Sequence, residues 1–341
     1  MEKLKQKSIW VARAQRLAEL IPRGRLHPAV VAWADGRPAN ERWAVACSGG
    51  ADSVCLLLLL LAHWPRRGPG LCVLHFNHRL RGAAAAADAR FCRRLCRSLG
   101  VAYAAGSWRG ADPAAGEAAA RDARFAFFGA ALAARRIRVL WLGHQQDDVA
   151  ETMLMRLARG SGTAGLAAPR PVQAVPPGGG RLRPLLSLRK AEVLAALSAV
   201  GAPWREDATN RGRAFFRNRI RRDVLPRWIK ASGRDALAGA ALARDLLDED
   251  DRALEEWTDL ACRVTPAGRL DLARLADRPR AVVRRALHRW LLAQAGAGAL
   301  SRQGFTALLA AVERRRPTRQ SLGKEGFAVI DRKWLAFAKK K

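Results

Sequence analysis

The segment Ser48-Gly49-Gly50-Ala51-Asp52-Ser53 combines residue types that suit phosphate binding. Two adjacent glycines allow a tight turn and a close approach of the backbone to a ligand. A short apolar run at 43–47 precedes the segment, and an apolar helix is predicted at about 52–63. A turn from strand to helix directs free N–H groups and the positive end of the helix dipole to one place. Ser48 and Ser53 add hydroxyl donors, so the segment predicts an anion site.

The same segment also suggests a metal ion. It matches neither G-x-x-x-x-G-K-[ST] nor G-x-G-x-x-G, and it lacks the lysine that would reach a terminal phosphate. It carries Asp52 instead. A carboxylate beside bound phosphates repels them unless a cation lies between, which predicts Mg²⁺ held by Asp52 and phosphate oxygens. The alternative is that Asp52 and Ser53 only cap the helix.

A second ionisable cluster follows the apolar run 139–142. It consists of His144, Asp147, Asp148 and Glu151. Asp148 and Glu151 are three residues apart and share one face of the predicted helix 147–157. Adjacent carboxylates suit a cationic ligand or a metal. The alternative is N-capping by Asp147 together with a solvated acidic turn.

Two smaller polar groups complete the candidate site. The predicted strand 71–76 leads into the side chains of His75, Asn77 and His78. His-x-x-His suggests a metal, but no third ligand is near in the sequence, so contacts with nucleotide or substrate are favoured. Arg121 and Arg124 share a face of the predicted helix 114–136 and could clamp phosphate. The alternative is an ordinary surface pair.

The elements between these residues predict how they come together. Apolar runs at 43–47, 71–76, 101–105 and 139–142 alternate with helical stretches at 52–63, 83–99, 114–136 and 147–157. Such alternation indicates parallel βαβ units, and mostly apolar strands indicate helices on both faces. We predict an α/β fold with a doubly wound, mostly parallel sheet. Ligands bind at the carboxyl ends of such strands, where the polar groups lie.

The rest of the chain has a different pattern. Residues 160–184 are rich in Gly and Pro and are predicted as a loop, 187–200 as a helix, and 214–225 as a very basic helix ending at Pro226. Beyond 231, helical periodicity dominates, with a short strand pair at 321–337. We divide the chain into a helical lead-in at 1–40, a catalytic domain at 41–226 and a smaller, mainly helical domain at 231–341.

Charge favours a polyanionic partner. The formal net charge is +31, of which +23 falls in residues 1–230. The run 211–230 holds eight bases and one acid, with four arginines close together at Arg217, Arg219, Arg221 and Arg222. We interpret it as an element that contacts nucleic-acid phosphates, the alternative being a solvated face.

Other classes are disfavoured. The longest apolar run, 54–62, is far shorter than the roughly 20 residues of a membrane span, so no membrane partner is expected. The six cysteines form no C-x-x-C pair, and a reduced, cytoplasmic protein is expected. The sequence leaves the oligomeric state open, including a homodimer.

The order of the motifs resembles one enzyme family. Ser48–Ser53 resembles the pyrophosphate loop of AMP-forming ATP pyrophosphatases, the PP-loop enzymes, and implies an adenine nucleotide α-hydrolase-like fold. Further segments make residues about 40–226 similar to tRNA(Ile)-lysidine synthetases. These segments are 75–82 (HFNHRLRG), 120–125 (ARDARF), 143–152 (GHQQDDVAET), 159–162 (RGSG), 183–186 (RPLL) and 206–210 (EDATN). Phe125 stands where that family usually has Tyr.

The resemblance implies a reaction. ATP, with Mg²⁺, would activate C2 of cytidine-34 in the CAU anticodon of an isoleucine tRNA through an adenylated tRNA intermediate. The ε-amine of L-lysine would then displace AMP, giving lysidine. The helical domain would bind tRNA.

Each candidate residue then receives a role. We assign ATP contacts to Ser48, Gly49, Gly50, Ala51, Asp52, Ser53, His75 and Asn77. We assign catalysis to Asp52, Arg121, His144, Asp147 and Asp148, with Mg²⁺ on Asp52. We assign the lysine substrate to Asp147, Asp148 and Glu151, with one carboxylate or His144 as the base. We assign tRNA contacts to Arg79, Arg81, Arg124, Arg159, Arg217, Arg219, Arg221 and Arg222.

Three alternatives are weighed against this assignment. A PP-loop tRNA cytidine thiolase would typically carry paired C-x-x-C cysteines for an iron–sulfur cluster, and this chain has none. A small-molecule AMP-forming amide ligase would need neither the charge of +31 nor the basic run. An RNA-binding protein with a decayed site would not need Asp52, Asp147 and Asp148.

Overall fold

The chain folds into two compact units, Met1–Leu246 and Leu247–Lys341. The structure is a computed structural model. It describes residues 2–79, 82–108, 116–176, 178–206, 212, 215–294, 300–323 and 326–340, except the side chains of residues 2–5 and 117. The division falls within one long helix, Ala236–Ala261. The domain limits expected from the sequence, at 40, 226 and 231, stay predictions.

The first unit is a layered α/β fold. Its strands are β1 (Trp43–Ala46), β2 (Leu71–Asn77), β3 (Ala102–Ser107), β4 (Val139–Trp141), β5 (Val172–Val175) and β6 (Gly179–Leu182). Its helices are α1 (Glu2–Leu20), α2 (Pro28–Asp35), α3 (Ala51–His63), α4 (Gly82–Leu99), α5 (Glu117–Ala134), α6 (Gln146–Leu157), α7 (Thr163–Leu166), α8 (Lys190–Ala199), α9 (Phe216–Arg219) and α10 (Leu225–Ser232). The helix α11 (Ala236–Ala261) starts in this unit.

The strands form one sheet in the order β3-β2-β1-β4-β6-β5. All neighbours run parallel except β5, which is antiparallel to β6 at the edge. Buried Val45 on β1 lies between Val73 on β2 and Trp141 on β4. The predicted doubly wound, mostly parallel sheet is therefore confirmed.

Helices cover the sheet because its strands are apolar on both faces. On one side, α3 is almost wholly buried and α1 packs against it with Trp10, Ala14 and Leu17. On the other side, α5 contributes Phe128 and Ala131 to a smaller cluster around Leu74 and Leu140. The N-terminal lead-in thus shares a core with the sheet.

The prediction of a loop at 160–184 is wrong. This stretch contains α7, β5 and β6, and β6 extends the parallel sheet beside β4. Glycine is required at Gly179 for steric reasons, because a Cβ there would lie 2.6 Å from the carbonyl oxygen of Arg138. Residues that indicated a loop from composition allow two backbones to approach within a sheet.

The predicted end of the basic helix at Pro226 is also wrong. After α9, a π-helical turn at Ile220–Val224 leads directly into α10, which continues to Ser232. Pro226 is the second residue of α10 and follows the π-helical turn, so the irregular hydrogen bonding of the helix falls next to the residue that lacks an N–H. The proline therefore begins a helical segment rather than ending one.

The second unit combines helices with a small sheet. Besides the end of α11, it contains α12 (Arg280–Ala293) and α13 (Arg302–Glu313). Its strands are β7 (Leu270–Asp271), β8 (Thr318–Ser321), β9 (Gly326–Ile330) and β10 (Trp334–Lys339), antiparallel in the order β7-β10-β9-β8. The expected strand pair is thus part of a four-stranded sheet. In the part of the chain that the structure describes, no helix is long and apolar enough to cross a membrane.

Candidate functional site

The site lies at the topological switch point of the sheet, where the strand order reverses. The chain builds β2 and β3 on one side of β1 and then places β4 on the other side. The loops that leave β1 and β4 diverge at such a point and open a crevice at the carboxyl edge of the sheet. Ser48–Ser53 leaves β1 and Gly143–Gln145 leaves β4, so the fold brings together the two motifs expected to bind ligands.

The phosphate loop, residues 48–53, is ordered by its own hydrogen bonds. The Ser48 hydroxyl accepts the N–H of Gly50 at 3.2 Å, and the Ser53 hydroxyl donates to the Gly50 carbonyl at 2.9 Å. Gly49 has a φ of +92°, a conformation that favours glycine. The loop thus delivers the N-terminus of α3 to the crevice, as the sequence predicts for an anion site.

Gly143 allows the second loop to approach the first. A Cβ at this position would lie 3.0 Å from the carbonyl carbon and oxygen of Asp52. Such a contact is tighter than nearly all real Cβ contacts, so a larger residue would push the end of β4 away from the first turn of α3 by a few tenths of an ångström. The sequence signal was present, because Gly143 directly follows the apolar run of β4.

A cavity of about 820 Å³ opens at this edge. That volume is typical of a site for a nucleotide-sized ligand. Its polar lining comprises Ser48, Gly50, Asp52 and Ser53 of the phosphate loop, His75 and Asn77 at the end of β2, His78 and Arg79 just after it, Arg124 of α5, Gly143 and His144 after β4, and Lys190, Arg205 and Glu206 further along the chain.

Asp52 has a partner that sequence reasoning missed. The ammonium of Lys190, the first residue of α8, lies 2.8 and 2.7 Å from the two carboxylate oxygens of Asp52. Burial raises the pKa of Asp52, and Lys190 opposes that rise. The two side chains remain partly open to the cavity, with 26% of Asp52 and 36% of Lys190 exposed.

Asp147 does not cap its own helix. Gln145 caps α6, accepting the N–H of Asp147 at 2.6 Å, while Asp148 accepts the N–H of Gln145 at 2.9 Å. Asp147 instead accepts the backbone N–H of Lys190 at 2.9 Å and so caps α8. The carboxylate expected to bind a ligand therefore fixes the start of the helix that carries Lys190.

Asp148 and Glu151 are held by two arginines of the basic segment. Arg217 donates to Asp148 at 2.5 Å and to Glu151 at 2.8 Å, and Arg221 donates to both Glu151 oxygens at 2.5 and 2.9 Å. Burial by itself would raise the pKa of Asp148, but Arg217, His144, the Gln145 N–H and Arg221 together outweigh it, and the pKa is lowered. Only 1% of the Glu151 side chain is exposed. In this arrangement Glu151 offers no surface to a lysine ammonium.

His144 is placed at the cavity as a neutral ring. Burial lowers its pKa to about 3, so it carries no positive charge near neutral pH. Its Nδ1 accepts a hydrogen bond from the Nε of Arg183 at 3.3 Å. A neutral imidazole that accepts at Nδ1 carries its proton on Nε2, which makes Nε2 a donor. This geometry disfavours His144 as the base that deprotonates an amine.

The polar residues at the end of β2 and just after it make different contacts. Nδ1 of buried His75 lies 2.9 Å from the carbonyl oxygen of Cys47, just before the phosphate loop. Asn77 accepts the backbone N–H of Arg79 at 2.8 Å, and Arg79 has a positive φ of 58°. These contacts shape the rim of the cavity. Arg81 was also expected there, but it lies outside the described residues.

Three arginines pack around the ring of Phe125 at the cavity wall. The guanidinium groups of Arg121 and Arg181 lie 4.8 and 4.5 Å from the centre of its ring, and that of Arg124 lies at 5.7 Å. An aromatic face attracts such cations. Arg124 lines the cavity together with Phe125. The pair Arg121 and Arg124, predicted to share a helix face, is thus organised by the residue that stands where tyrosine was expected.

Arg205 is a second residue that the sequence did not reveal. Its Nε donates to Asp88 of α4 at 2.9 Å, and its backbone N–H donates to the Gly49 carbonyl at 2.8 Å. The segment around Arg205 therefore covers the phosphate loop. The motif that continues from it, Asp207 to Asn210, falls on residues that the structure does not describe.

Five of the arginines assigned to tRNA lie apart from the cavity lining, and they fall into two groups. Arg159, Arg219 and Arg222 are exposed, as an RNA contact requires. Arg217 and Arg221 are only partly exposed and point to α6. The basic run is thus not one uniform face, and the prediction that all four of its arginines contact RNA is narrowed to Arg219 and Arg222.

Comparison with known proteins shows the family to which the fold belongs. A family profile described as PP-loop domain matches residues 26–228, which is more than half of the chain. The chain belongs to the PP-loop domain family. The match spans the phosphate loop and every strand of the first sheet, and a PP-loop domain supports the use of ATP.

Curated relatives of this PP-loop protein confirm the resemblance found in the motifs. Proteins named tRNA(Ile)-lysidine synthase from Solibacter usitatus and Geobacter sulfurreducens are 47% and 39% identical over 188 and 232 residues. These alignments cover 55% and 66% of this chain but 41% and 48% of the relatives. The relative from Aromatoleum aromaticum is 39% identical over 291 residues, covering 83% of this chain and 64% of its own. The chain spans about half the length of the relatives it matches.

A solved structure supports the fold independently. The U34-tRNA thiolase NcsA from Methanococcus maripaludis, with its [4Fe-4S] cluster, superposes with a TM-score of 0.50. The match covers 70% of this chain and 79% of the thiolase at 17% sequence identity. At that identity, the similarity extends to the PP-loop fold alone.

Proposed function

We propose that this protein ligates lysine to C2 of cytidine-34 in the CAU anticodon of isoleucine tRNA. The observation that carries the proposal is the phosphate loop, with Asp52 at its helical end, opening onto a nucleotide-sized cavity at the edge of a PP-loop sheet. The names of the relatives support the choice of lysidine formation among the reactions that such a loop serves.

The chemistry needs two substitutions because the 2-oxo group of cytosine is a poor leaving group. In the first, that oxygen attacks the α-phosphorus of ATP, and pyrophosphate leaves. In the second, the ε-nitrogen of lysine attacks C2, AMP leaves with the oxygen, and the amine loses a proton. The protein must hold three reactants in line and stabilise negative charge on the phosphates.

The phosphate loop would bind the leaving pyrophosphate. Its N–H groups lie at the N-terminus of α3, where an anion is favoured, and the Ser48 hydroxyl lies beside them, while the Ser53 hydroxyl orders the loop through the Gly50 carbonyl. The donor set around Asp52, one carboxylate with serine hydroxyls beside an open cavity, fits Mg²⁺, which prefers a few protein oxygens plus phosphate. When bound, the ion would neutralise charge on the phosphates.

The lysine substrate would bind near the start of α6. Of the three carboxylates assigned to it, we retain Asp147, because Asp148, like Glu151, is held by Arg217. Asp147 is partly exposed, and a carboxylate there can attract an ammonium. Glu151 would act indirectly, by holding Arg217 and Arg221 in place.

RNA would reach the cavity past exposed cations. Arg79 and Arg124 line its rim, and Arg219 and Arg222 are exposed on the basic segment. A cytosine in an anticodon loop is unpaired, so it can be turned into a pocket more easily than a base in a duplex. The net charge of +31 would strengthen this binding at low salt.

A labelling assay tests the proposal. Purified protein, ATP, Mg²⁺ and radiolabelled lysine are incubated with an unmodified isoleucine tRNA that carries the CAU anticodon. We expect one lysine per tRNA, lost when cytidine-34 is replaced by uridine. Sulfur incorporation into the same tRNA would favour the thiolase, and AMP release without any RNA would favour a small-molecule ligase; either result would overturn the proposal.

A further inference from the structure

The phosphate loop lacks the lysine that loops of similar purpose use, and the fold supplies one from elsewhere. Lys190 lies 138 residues beyond Asp52 in the sequence, yet its ammonium contacts both oxygens of that carboxylate. Both side chains line the same cavity as Ser48, Gly50 and Ser53. A cation therefore lies at the anion site.

Composition makes this lysine unusual. The chain uses 51 arginines and only 10 lysines, and Lys190 is the single lysine between Lys7 and Lys230. An ammonium is a compact charge on a flexible stem, whereas a guanidinium is a planar fork suited to fixed bidentate pairs. The buried acids of α6 are held by arginine guanidinium groups. Asp52 is paired with a lysine ammonium, which can change partner within the cavity.

The structure fixes the backbone of Lys190 but leaves its side chain accessible. Asp147 accepts its backbone N–H and so anchors the start of α8. Its side chain is 36% exposed to the cavity, so the pair with Asp52 is open to competition by another anion. A polyphosphate carries more negative charge than one carboxylate and accepts several hydrogen bonds from an ammonium.

We propose that Lys190 is the phosphate-binding lysine of this site, held by Asp52 until the nucleotide arrives and then transferred to its phosphate oxygens. This inference rests on the proposed function, because it takes ATP as the ligand of the loop. It adds a residue from α8 to the phosphate site that the sequence analysis built from the loop after β1, the end of β2 and the arginines of α5.

The competing explanation is that Lys190 only neutralises Asp52. The two explanations differ once Asp52 has lost its charge. We compare four proteins: the wild type, Lys190→Met, Asp52→Asn and the double variant. Binding of ATP and of inorganic pyrophosphate is measured by calorimetry in EDTA, so that no metal ion contributes. Lys230→Met, which removes an exposed lysine of α10, is the matched control.

A phosphate-binding role predicts that the two single variants change the affinity for ATP and pyrophosphate in opposite directions: Lys190→Met weakens it and Asp52→Asn strengthens it. Asp52→Asn should bind metal-free ATP and pyrophosphate more tightly than the wild type, because it removes a repulsive charge and releases the ammonium. Adding Lys190→Met to Asp52→Asn should then weaken both ligands by about 10- to 100-fold, the range for hydrogen bonds to a charged group. Lys230→Met should bind as the wild type does.

The double variant protects the test from a folding artefact. Lys190→Met alone leaves Asp52 without its cation and could destabilise the protein, whereas the double variant carries neither charge. Equal affinities for Asp52→Asn and the double variant would refute the role of Lys190 while leaving ATP binding intact. A wild-type protein that binds no ATP, with or without Mg²⁺, would instead overturn the proposed function and this inference together.

Discussion

Two groups of ion pairs at the carboxyl edge of the sheet use similar residues in different surroundings. At the phosphate loop, Asp52 and Lys190 are 26% and 36% exposed. On α6, Glu151 is 1% exposed beneath Arg217 and Arg221. Water and ligands can compete for the first pair, whereas opening the second would leave a buried charge. Residue type and spacing thus predicted two ionic sites, and burial separates the one that can exchange partners from the one that holds the fold.

The largest effect should come from the exposed group. Asp52→Ala is expected to reduce lysine incorporation by about 10²- to 10³-fold, the size of losing one electrostatic contact to the reacting groups. Binding of tRNA, measured by filter retention, should stay within about twofold because the cationic surface is unchanged. Asp122→Ala removes an exposed aspartate of α5 and serves as the control. Retained turnover in Asp52→Ala would refute the role of this carboxylate.

The buried group should dominate stability instead. Glu151→Gln is expected to lower the free energy of unfolding by about 3 kcal/mol, the low end for a broken buried pair, because both arginines keep some access to water. Asp52→Asn should change it by less than about 1 kcal/mol. Urea denaturation followed by tryptophan fluorescence measures both. Glu19→Gln, from an exposed pair with Arg16, is the control. Equal losses for Glu151→Gln and Asp52→Asn would remove the distinction.

The basic segment offers a third test, which separates its two groups of arginines. Arg219→Ala with Arg222→Ala should lower the slope of log affinity for tRNA against log salt by about 1.5, since two phosphate contacts are lost. This variant should lose less stability than one that removes the partners of buried Glu151. Arg217→Ala with Arg221→Ala should instead lower the free energy of unfolding, because buried Glu151 would lose both of its arginine partners. If the first variant kept the wild-type salt slope, the exposed arginines would not be RNA contacts.

The smallest effect concerns His144, which lies between the two groups. Its pKa falls from 6.5 to about 3 on folding, so between these values the unfolded chain binds a proton that the folded chain does not. The free energy of unfolding should therefore decrease as the pH falls below about 6.5. Above that pH, His144 should contribute no pH dependence. His144→Gln should remove about 1 kcal/mol of the decrease between pH 6.5 and 5.5. Parallel pH dependences for the two proteins would contradict the lowered pKa.

Most of the first sheet could be predicted because its signals are local. Four of its strands and the helices between them follow from apolar runs and helical periodicity, and the phosphate loop follows from two glycines between a strand and a helix. The failures share a cause. β6 begins with two glycines and lies in a stretch rich in glycine and proline, and the helical segment around Pro226 contains a π turn. In both cases packing overrode the local preference.

The site was predicted less completely than the fold. The carboxylates of α6 were recognised as ionic, but their arginine partners lie 66 to 70 residues away and had been assigned to RNA. Lys190 and Arg205 carry no motif that relates them to the phosphate loop. Their proximity to Asp52 and Gly49 arises because α8 and the segment after it return over the edge of the sheet.

The sequence by itself determined the phosphate loop, the alternating α/β pattern and the cationic surface, because each depends on neighbouring residues or on total charge. Tertiary structure decided which charges neutralise one another and which remain open to a ligand. An ion pair is set by distance and by access to water, and both depend on the order of strands in the sheet. Asp52 faces a cavity and a flexible lysine, whereas Glu151 lies beneath two arginines, and no spacing in the chain distinguishes them.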